Sequence, residues 1–370
     1  MDYPELAART RRFSCGAPRA VSVTGDGARV VFLRSTGPHD PVDRLWVLDL
    51  DTGAERLVAD PAQLLAAAPA VPPAQERAAR ERQRLVTAGI GGYALDCAGA
   101  VAAFTLAGRL FRADLRQGDV VEVPVAGPAV DARPDPTGAH IAYVSGRALH
   151  VVDAAGGDTL LAGEPDPAVS WGSAEFVAAE EFGRHRGYWW SPDGTSMLAA
   201  RVDESRVPRW HLHDPSEPQN PPTVLAYPPA GAPNAEVTLH LLDLDGGWVD
   251  VHWDRETYPY LVAAGWAAGG GPAAGTGRGP SPCGGPLITV LRRLQQHGLV
   301  LAVDPRTGET QVHAELADPR WVEPVAGTPL HLPDGRVLVG GELSHDGYDA
   351  RCLFADGTLL TPPSLYVRRV

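Results

Sequence analysis

Apolar residues alternate with polar ones over short stretches along most of the chain, and turn residues punctuate the stretches at regular places. "VTGDGARVVFL", "PDPTGAHIAYV", "WSPDGTSMLAA" and "HLPDGRVLVGG" each set a Gly-containing turn ahead of an alternating run. Glycine supplies the positive φ that a tight hairpin needs, and the alternation is that of a half-buried strand. A second signal follows most of these runs: an apolar strand, then Asp, then Gly four positions on. It stands at Asp49 and Gly53, Asp114 and Gly118, Asp153 and Gly157, Asp243 and Gly247, and Asp304 and Gly308. Each unit reads as a small antiparallel meander.

The copies are irregularly spaced, and the shortest interval is close to the roughly 40–50 residues of one four-stranded propeller blade. The chain divides into about six meanders, over residues ~20–60, ~90–125, ~128–162, ~187–247, ~248–315 and ~325–362, and the closing "SLYVRRV" resembles the opening strand of a seventh. The predicted fold class is all-β: a β-propeller of four-stranded antiparallel blades with short helical insertions. Radial repetition protects sheet edges that a free meander would expose. A β-sandwich is the alternative, but sandwiches do not usually repeat an Asp-x-x-x-Gly signature.

Insertions account for the longer intervals. "PPAQERAARERQRLVTAG" (Pro72 to Gly89) has Pro at its start, Gly at its end and charges between, which predicts an exposed helix. A second insertion runs from about Ala162 to Arg186, and a third, rich in Pro and His, from about Asp203 to Glu236. "AAGGGPAAGTGRGPSPCGG" (Ala267 to Gly285) is a low-complexity loop that matches no nucleotide-binding glycine pattern.

Composition narrows the chemistry. All 32 basic residues are arginine, so there is no lysine for a P-loop or a Schiff base. A net charge of −13 with no basic cluster argues against nucleic acid and suits a cationic ligand. Cys15, Cys97, Cys283 and Cys352 are widely separated, which predicts buried reduced thiols rather than zinc ligands or disulfides. The N-terminus has no apolar leader core and no apolar run would span a bilayer. A soluble, cytoplasmic protein with no cofactor and no membrane contact is the expectation.

The second insertion carries two adjacent carboxylates, Glu180 and Glu181, in "AEFVAAEEFGRHRGYWWSPDG". On a strand they would point to opposite faces, whereas on a helix they lie roughly a third of a turn apart and both can reach one ligand. The segment has good helix formers, with Ser173 followed by Glu175 and Phe176 as its start. Two adjacent carboxylates repel unless a cation sits with them. The residues alone favour a solvated pair salt-bridged to Arg184 and Arg186, with an ammonium brought by a ligand as the sharper reading. His211 and His213 of "HLHD" alternate as metal-binding imidazoles can, yet no third ligand stands near, so a loop or subunit contact is favoured. Trp189, Trp190 and Trp210 could line a peptide pocket, with core packing the default reading for "YWWSPDG".

That run, with "RVDESRVPRWHL" and "YPPAGAPNAEVTL" after it, resembles the N-terminal β-propeller of the dipeptidyl peptidase IV branch of the prolyl oligopeptidase family. The resemblance extends to "ERAARERQR" and to the closing "LTPPSLYVRRV". It implies a propeller of about eight blades capping an α/β-hydrolase domain. It also implies that Glu180 and Glu181 grip the free α-amine of a peptide, so that the second peptide bond, after Pro or Ala, meets a catalytic serine. The family's substrate-carbonyl arginine has no assignable counterpart; the arginines of residues 77–84 match by position only, and a solvated helix face is the favoured reading of them.

No serine lies in a G-x-S-x-G nucleophile elbow; "GPSPC" around Ser281 fails at its last position. No catalytic residue is therefore expected among these 370 residues. The expected function is substrate recognition and gating for a serine dipeptidyl aminopeptidase, with the hydrolase domain as partner and a propeller incomplete at its C-terminal end. A non-catalytic propeller that binds peptides or partner proteins is the alternative, and exposed blade edges would favour a homodimer.

Overall fold

A computed structural model describes residues 2–66, 71–85, 87–266, 285–345 and 347–370. The chain forms two compact units, Met1–Gly163 and Glu164–Val370. Among the described residues each contains three blade sheets of antiparallel strands that follow one another in chain order, the arrangement of a β-propeller, and the second unit adds a separate two-stranded hairpin.

In the first unit the blades are Arg19–Val23, Arg29–Arg34, Val42–Asp49 and Glu55–Ala59; then Ala94–Leu95, Val101–Leu106, Arg109–Asp114 and Val120–Val123; then Ala129–Pro134, His140–Ser145, Ala148–Asp153 and Asp158–Ala162. Alternation sends one face of each sheet onto its neighbour. Leu33, Leu45 and Val47 of the first blade pack with Phe104 and Phe111 of the second, and the second meets the third through Leu110, Ala129 and Tyr143.

The second unit holds the other three. The fourth blade joins Ser196–Asp203, Glu236–Asp243 and Trp248–Val251 to an edge strand built in two pieces, Val169–Trp171 and Tyr188–Trp190. The fifth comprises Tyr260–Gly265, Leu287–Leu291, His297–Val303 and Thr310–Ala317, and the sixth Leu330–His331, Val337–His345, Tyr348–Ala355 and Thr358–Leu359. Leu198, Leu239 and Leu241 of the fourth blade pack against Leu261, Ile288 and Val290 of the fifth.

Several boundaries differ from expectation. The fourth blade begins at Val169, not near residue 187, because its edge strand is interrupted by the second insertion. Trp248–Val251 closes that blade instead of opening the next. The closing segment opens no new sheet among the described residues: it makes a single parallel bridge between Arg369 and Ala326, and the Val367 N–H donates to the Arg351 carbonyl. The helix of the first insertion is Ala74–Arg82, shorter than 72–89, and Gly89 belongs to a two-residue strand beside Val42–Asp49. That helix is not fully solvated. Glu76 is buried and accepts from the Gly108 N–H at 2.8 Å, while the Arg80 guanidinium donates to the Thr87 and Gly89 carbonyls. Cys352 is buried as expected, but Cys97 is exposed and Cys15 half-buried; Cys283, Ser281 and the glycine-rich loop over 267–284 lie outside the described residues.

The Asp-to-Gly repeat proves to be a hairpin turn in which Asp does two jobs. Its carbonyl accepts the N–H of the turn glycine, at 2.9 Å for Gly53, 2.8 Å for Gly118 and 2.8 Å for Gly308. In the copies at Asp49, Asp114, Asp153 and Asp304 its carboxylate also accepts from turn amides, as Asp304 does from Arg306 at 2.8 Å. In the two Gly-Gly copies the first glycine, Gly156 or Gly246, takes the positive φ. Gly308 shows why no other residue serves there. Its φ is +73°, and a Cβ would collide with the Asp250 carbonyl oxygen of the neighbouring blade. Gly308→Ala is expected to lower stability by roughly 2–3 kcal/mol, read as a fall in thermal midpoint; an unchanged midpoint would show that the two blades are not tightly apposed there.

Candidate functional site

The second insertion leaves the fourth blade at Gly172 and returns at Gly187. The Gly172 N–H donates to the Ala200 carbonyl at 2.9 Å, and the Ala200 N–H donates to the Gly187 carbonyl at 2.7 Å. Both ends of the insertion are thus pinned to one residue of the neighbouring strand. The strands meet so closely that a Cβ at Gly187 would fall onto the Gly172–Ser173 backbone. Only glycine allows this pinched base.

Within it lies the short helix Phe176–Glu181. Its cap is Glu175, not Ser173: the Glu175 carboxylate accepts from Val177 at 2.5 Å and from Ala178 at 2.8 Å, satisfying two otherwise orphaned amides. The sequence reading missed this because Ser is the commoner cap residue, while Glu175 is as well placed by spacing. Ala178 and Ala179 face inward, and Gly183, at φ +64°, ends the helix. Two aromatic contacts hold it on either side: Phe176 meets Tyr227 edge-on at 4.9 Å, and Phe182 meets Tyr260 at 5.7 Å.

This face assignment leaves Glu180 and Glu181 exposed at the last turn. Neither arginine expected to neutralise them does so. Arg184 is buried and turns under the helix, with Nη2 3.9 Å from the Glu175 carboxylate, Nη1 donating to the Arg186 carbonyl and Nε to the Leu261 carbonyl. Burial pushes the Glu175 carboxyl up from the ordinary range, against the pull of Arg184 and the two amides, and burial pulls Arg184 down. Arg186 donates to the Tyr188 carbonyl and lies over the Trp189 ring at 5.3 Å. Among the described residues no ion pair involves Glu180 or Glu181.

Trp189 and Trp190 are buried, and Trp189 belongs to the core between the fourth and fifth blades. Trp210 differs. It sits half-exposed on the hairpin Arg209–Leu212 and Thr223–Ala226, 4.6 Å from Tyr227, which in turn meets Phe176 of the carboxylate helix. Tyr227 and Phe176 were invisible as site residues in the sequence; the signal was "AYPPAG", an aromatic held beside two prolines. His211 and His213 are exposed, and no group of residues able to hold a metal occurs among the described residues. No helix among them is long and apolar enough to cross a membrane. Two of the first-insertion arginines brace local backbone, Arg80 as above and Arg77 by donating to the Pro72 carbonyl at 2.6 Å.

Fold and site together define a β-propeller with a carboxylate-bearing helix inserted in one blade. The family model for the dipeptidyl peptidase IV (DPP IV) N-terminal region matches residues 104–354, and the chain belongs to that family. Mouse dipeptidyl peptidase 8 is 32% identical over 129 residues, covering 29% of this chain and 14% of that protein. A probable dipeptidyl-aminopeptidase B of Emericella nidulans is 31% identical over 225 residues, covering 54% of this chain and 22% of its own length. Among solved structures, Porphyromonas gingivalis dipeptidyl peptidase 4 superposes with a TM-score of 0.70 at 16% identity, covering 98% of this chain and 48% of that one. The chain therefore spans about half the length of that peptidase, and the likeness in structure is one of fold.

Proposed function

We propose that this domain recognises peptides by their free N-terminus on behalf of a serine dipeptidyl aminopeptidase, with Glu180 and Glu181 as the amine-binding pair. One observation carries the reading: two adjacent carboxylates stand exposed on a held helix, while the arginines beside them are committed to Glu175, to backbone carbonyls and to Trp189. An ammonium can donate to both, and such charge-assisted bonds are short and directional. Trp210 and Tyr227, the latter in contact with Phe176 of the same helix, offer aromatic surface for an apolar side chain. The names of the relatives, dipeptidyl peptidases and aminopeptidases, support the same substrate class. An α/β-hydrolase domain would be the partner that cleaves what this domain holds.

The test compares Ala-Pro amide with its N-acetylated form by calorimetry. Preference for the free amine is expected, and equal affinity overturns the reading. Protonation supplies a second measurement. A peptide α-amine has a pKa of about 8, so affinity is full below that value and should fall roughly tenfold per pH unit above it. An affinity flat between pH 7 and pH 10 would show that no ammonium is bound.

A further inference from the structure

The amine-binding pair rides on a helix of one and a half turns, too short to hold its shape alone. What fixes it is a closed circuit of three residues. Ala178 gives its N–H to the Glu175 carboxylate at 2.8 Å and its carbonyl to the Arg184 N–H at 2.9 Å. The Arg184 side chain then runs back to Glu175, completing the loop beneath the helix, and its Nε hooks the circuit to the Leu261 carbonyl in the edge strand Tyr260–Gly265. The circuit encloses the positions that carry Glu180 and Glu181.

Two features argue that this pair does more than add stability. Glu175 is 9% exposed and Arg184 6%, so both charges are nearly removed from water. Their separation of 3.9 Å is long for an ion pair, and Arg184 Nη2 has no hydrogen-bond partner. A buried pair at that separation is often no more stabilising than apolar residues of the same size. It does fix direction, because the guanidinium fork and the carboxylate each accept only a few geometries.

We infer that Glu175 and Arg184 are positioning residues: they set the angle at which Glu180 and Glu181 present their carboxylates to a peptide ammonium. The inference rests on the amine-binding reading above. Two carboxylates sharing one ammonium must both lie within hydrogen-bond reach, so a small rotation of the helix removes one of them from contact.

The experiment measures preference for Ala-Pro amide over its N-acetylated form, beside thermal melting, on the polypeptide at its natural length. Glu175→Gln removes the charge and keeps an acceptor oxygen for one of the two amides, which the carboxylate receives on separate oxygens, Val177 on Oε2 and Ala178 on Oε1. The double variant Glu175→Gln with Arg184→Met removes both charges at near-constant volume. Both are expected to melt within a few degrees of the parent and to lose at least tenfold in preference, with Arg184→Lys intermediate. A preference equal to the parent's, or one that falls only in proportion to the loss of folded protein, overturns the positioning role. Glu180→Gln and Glu181→Gln separate the two ideas. If these abolish the preference while the Glu175 and Arg184 variants keep it, the amine site stands and the positioning role falls. If the parent shows no preference at all, the amine site itself falls.

Discussion

Truncating either carboxylate, Glu180→Ala or Glu181→Ala, is expected to weaken binding of a free-amine dipeptide amide roughly tenfold. Removing both should abolish the distinction from the acetylated peptide. The estimate sits at the low end for a charge-assisted bond because both side chains are exposed, where water competes for the ammonium. Neither substitution should move the melting temperature by more than a degree or two. Neither side chain packs in the core, and among the described residues neither is held in an ion pair. In a polypeptide that carries a hydrolase domain, the same losses should fall on kcat/KM for peptides with free N-termini. Unchanged affinity in both single variants would remove the pair from substrate binding.

Trp171→Ala is expected to be the most damaging single change near the site, at about 3–5 kcal/mol. Trp171 is 1% exposed and ends the first half of the split edge strand, immediately before the insertion. Its ring lies 4.9 Å from His240 and 4.8 Å from Trp248, and its Nε1 donates to Glu164, which also receives Arg201. Truncation opens a large void, leaves a Glu164 lone pair empty and wets His240, whose burial now disfavours its charged form. The thermal midpoint should drop by roughly 10 °C or more. Trp210→Ala serves as the control: that ring is 46% exposed, and the midpoint should hardly move. If the two variants melt alike, the fourth blade is not anchored where we place it.

Much of this fold was legible in the sequence because its punctuation is chemical. Asp49, Asp114, Asp153 and Asp304 announce their turns through side chains that bind local amides, a property of the residue that needs no distant partner. Glycines at positive φ then fix where each strand must stop. What escaped the sequence was whatever depends on tertiary partners. Val169–Trp171 is a three-residue strand that exists only because Arg201–Asp203 pairs with it. Arg184 stands closer in sequence to Glu181 than to Glu175, yet it pairs with Glu175, because burial under the helix rewards a partner that is itself desolvated. Arg80 reads as one more charge on a polar helix until the Thr87 and Gly89 carbonyls fold back to meet it. The position of the amine-site candidates was readable from an adjacent pair of carboxylates in an insertion; their support, Phe176, Tyr227 and Arg184, was not.

The pinched base at Ala200 bears on how such a site can change over generations. Trp171 pairs with Arg201 and Tyr188 with Ala199, so the strand register runs on across the gap as though the segment between Gly172 and Gly187 had been spliced in. Insertions of any length that start and finish at those two glycines leave every cross-strand neighbour of the blade in place, and longer closed loops cost only slightly more entropy. A lineage can therefore rewrite the inserted segment, lengthen it or exchange it whole, without asking the sheet beneath to refold.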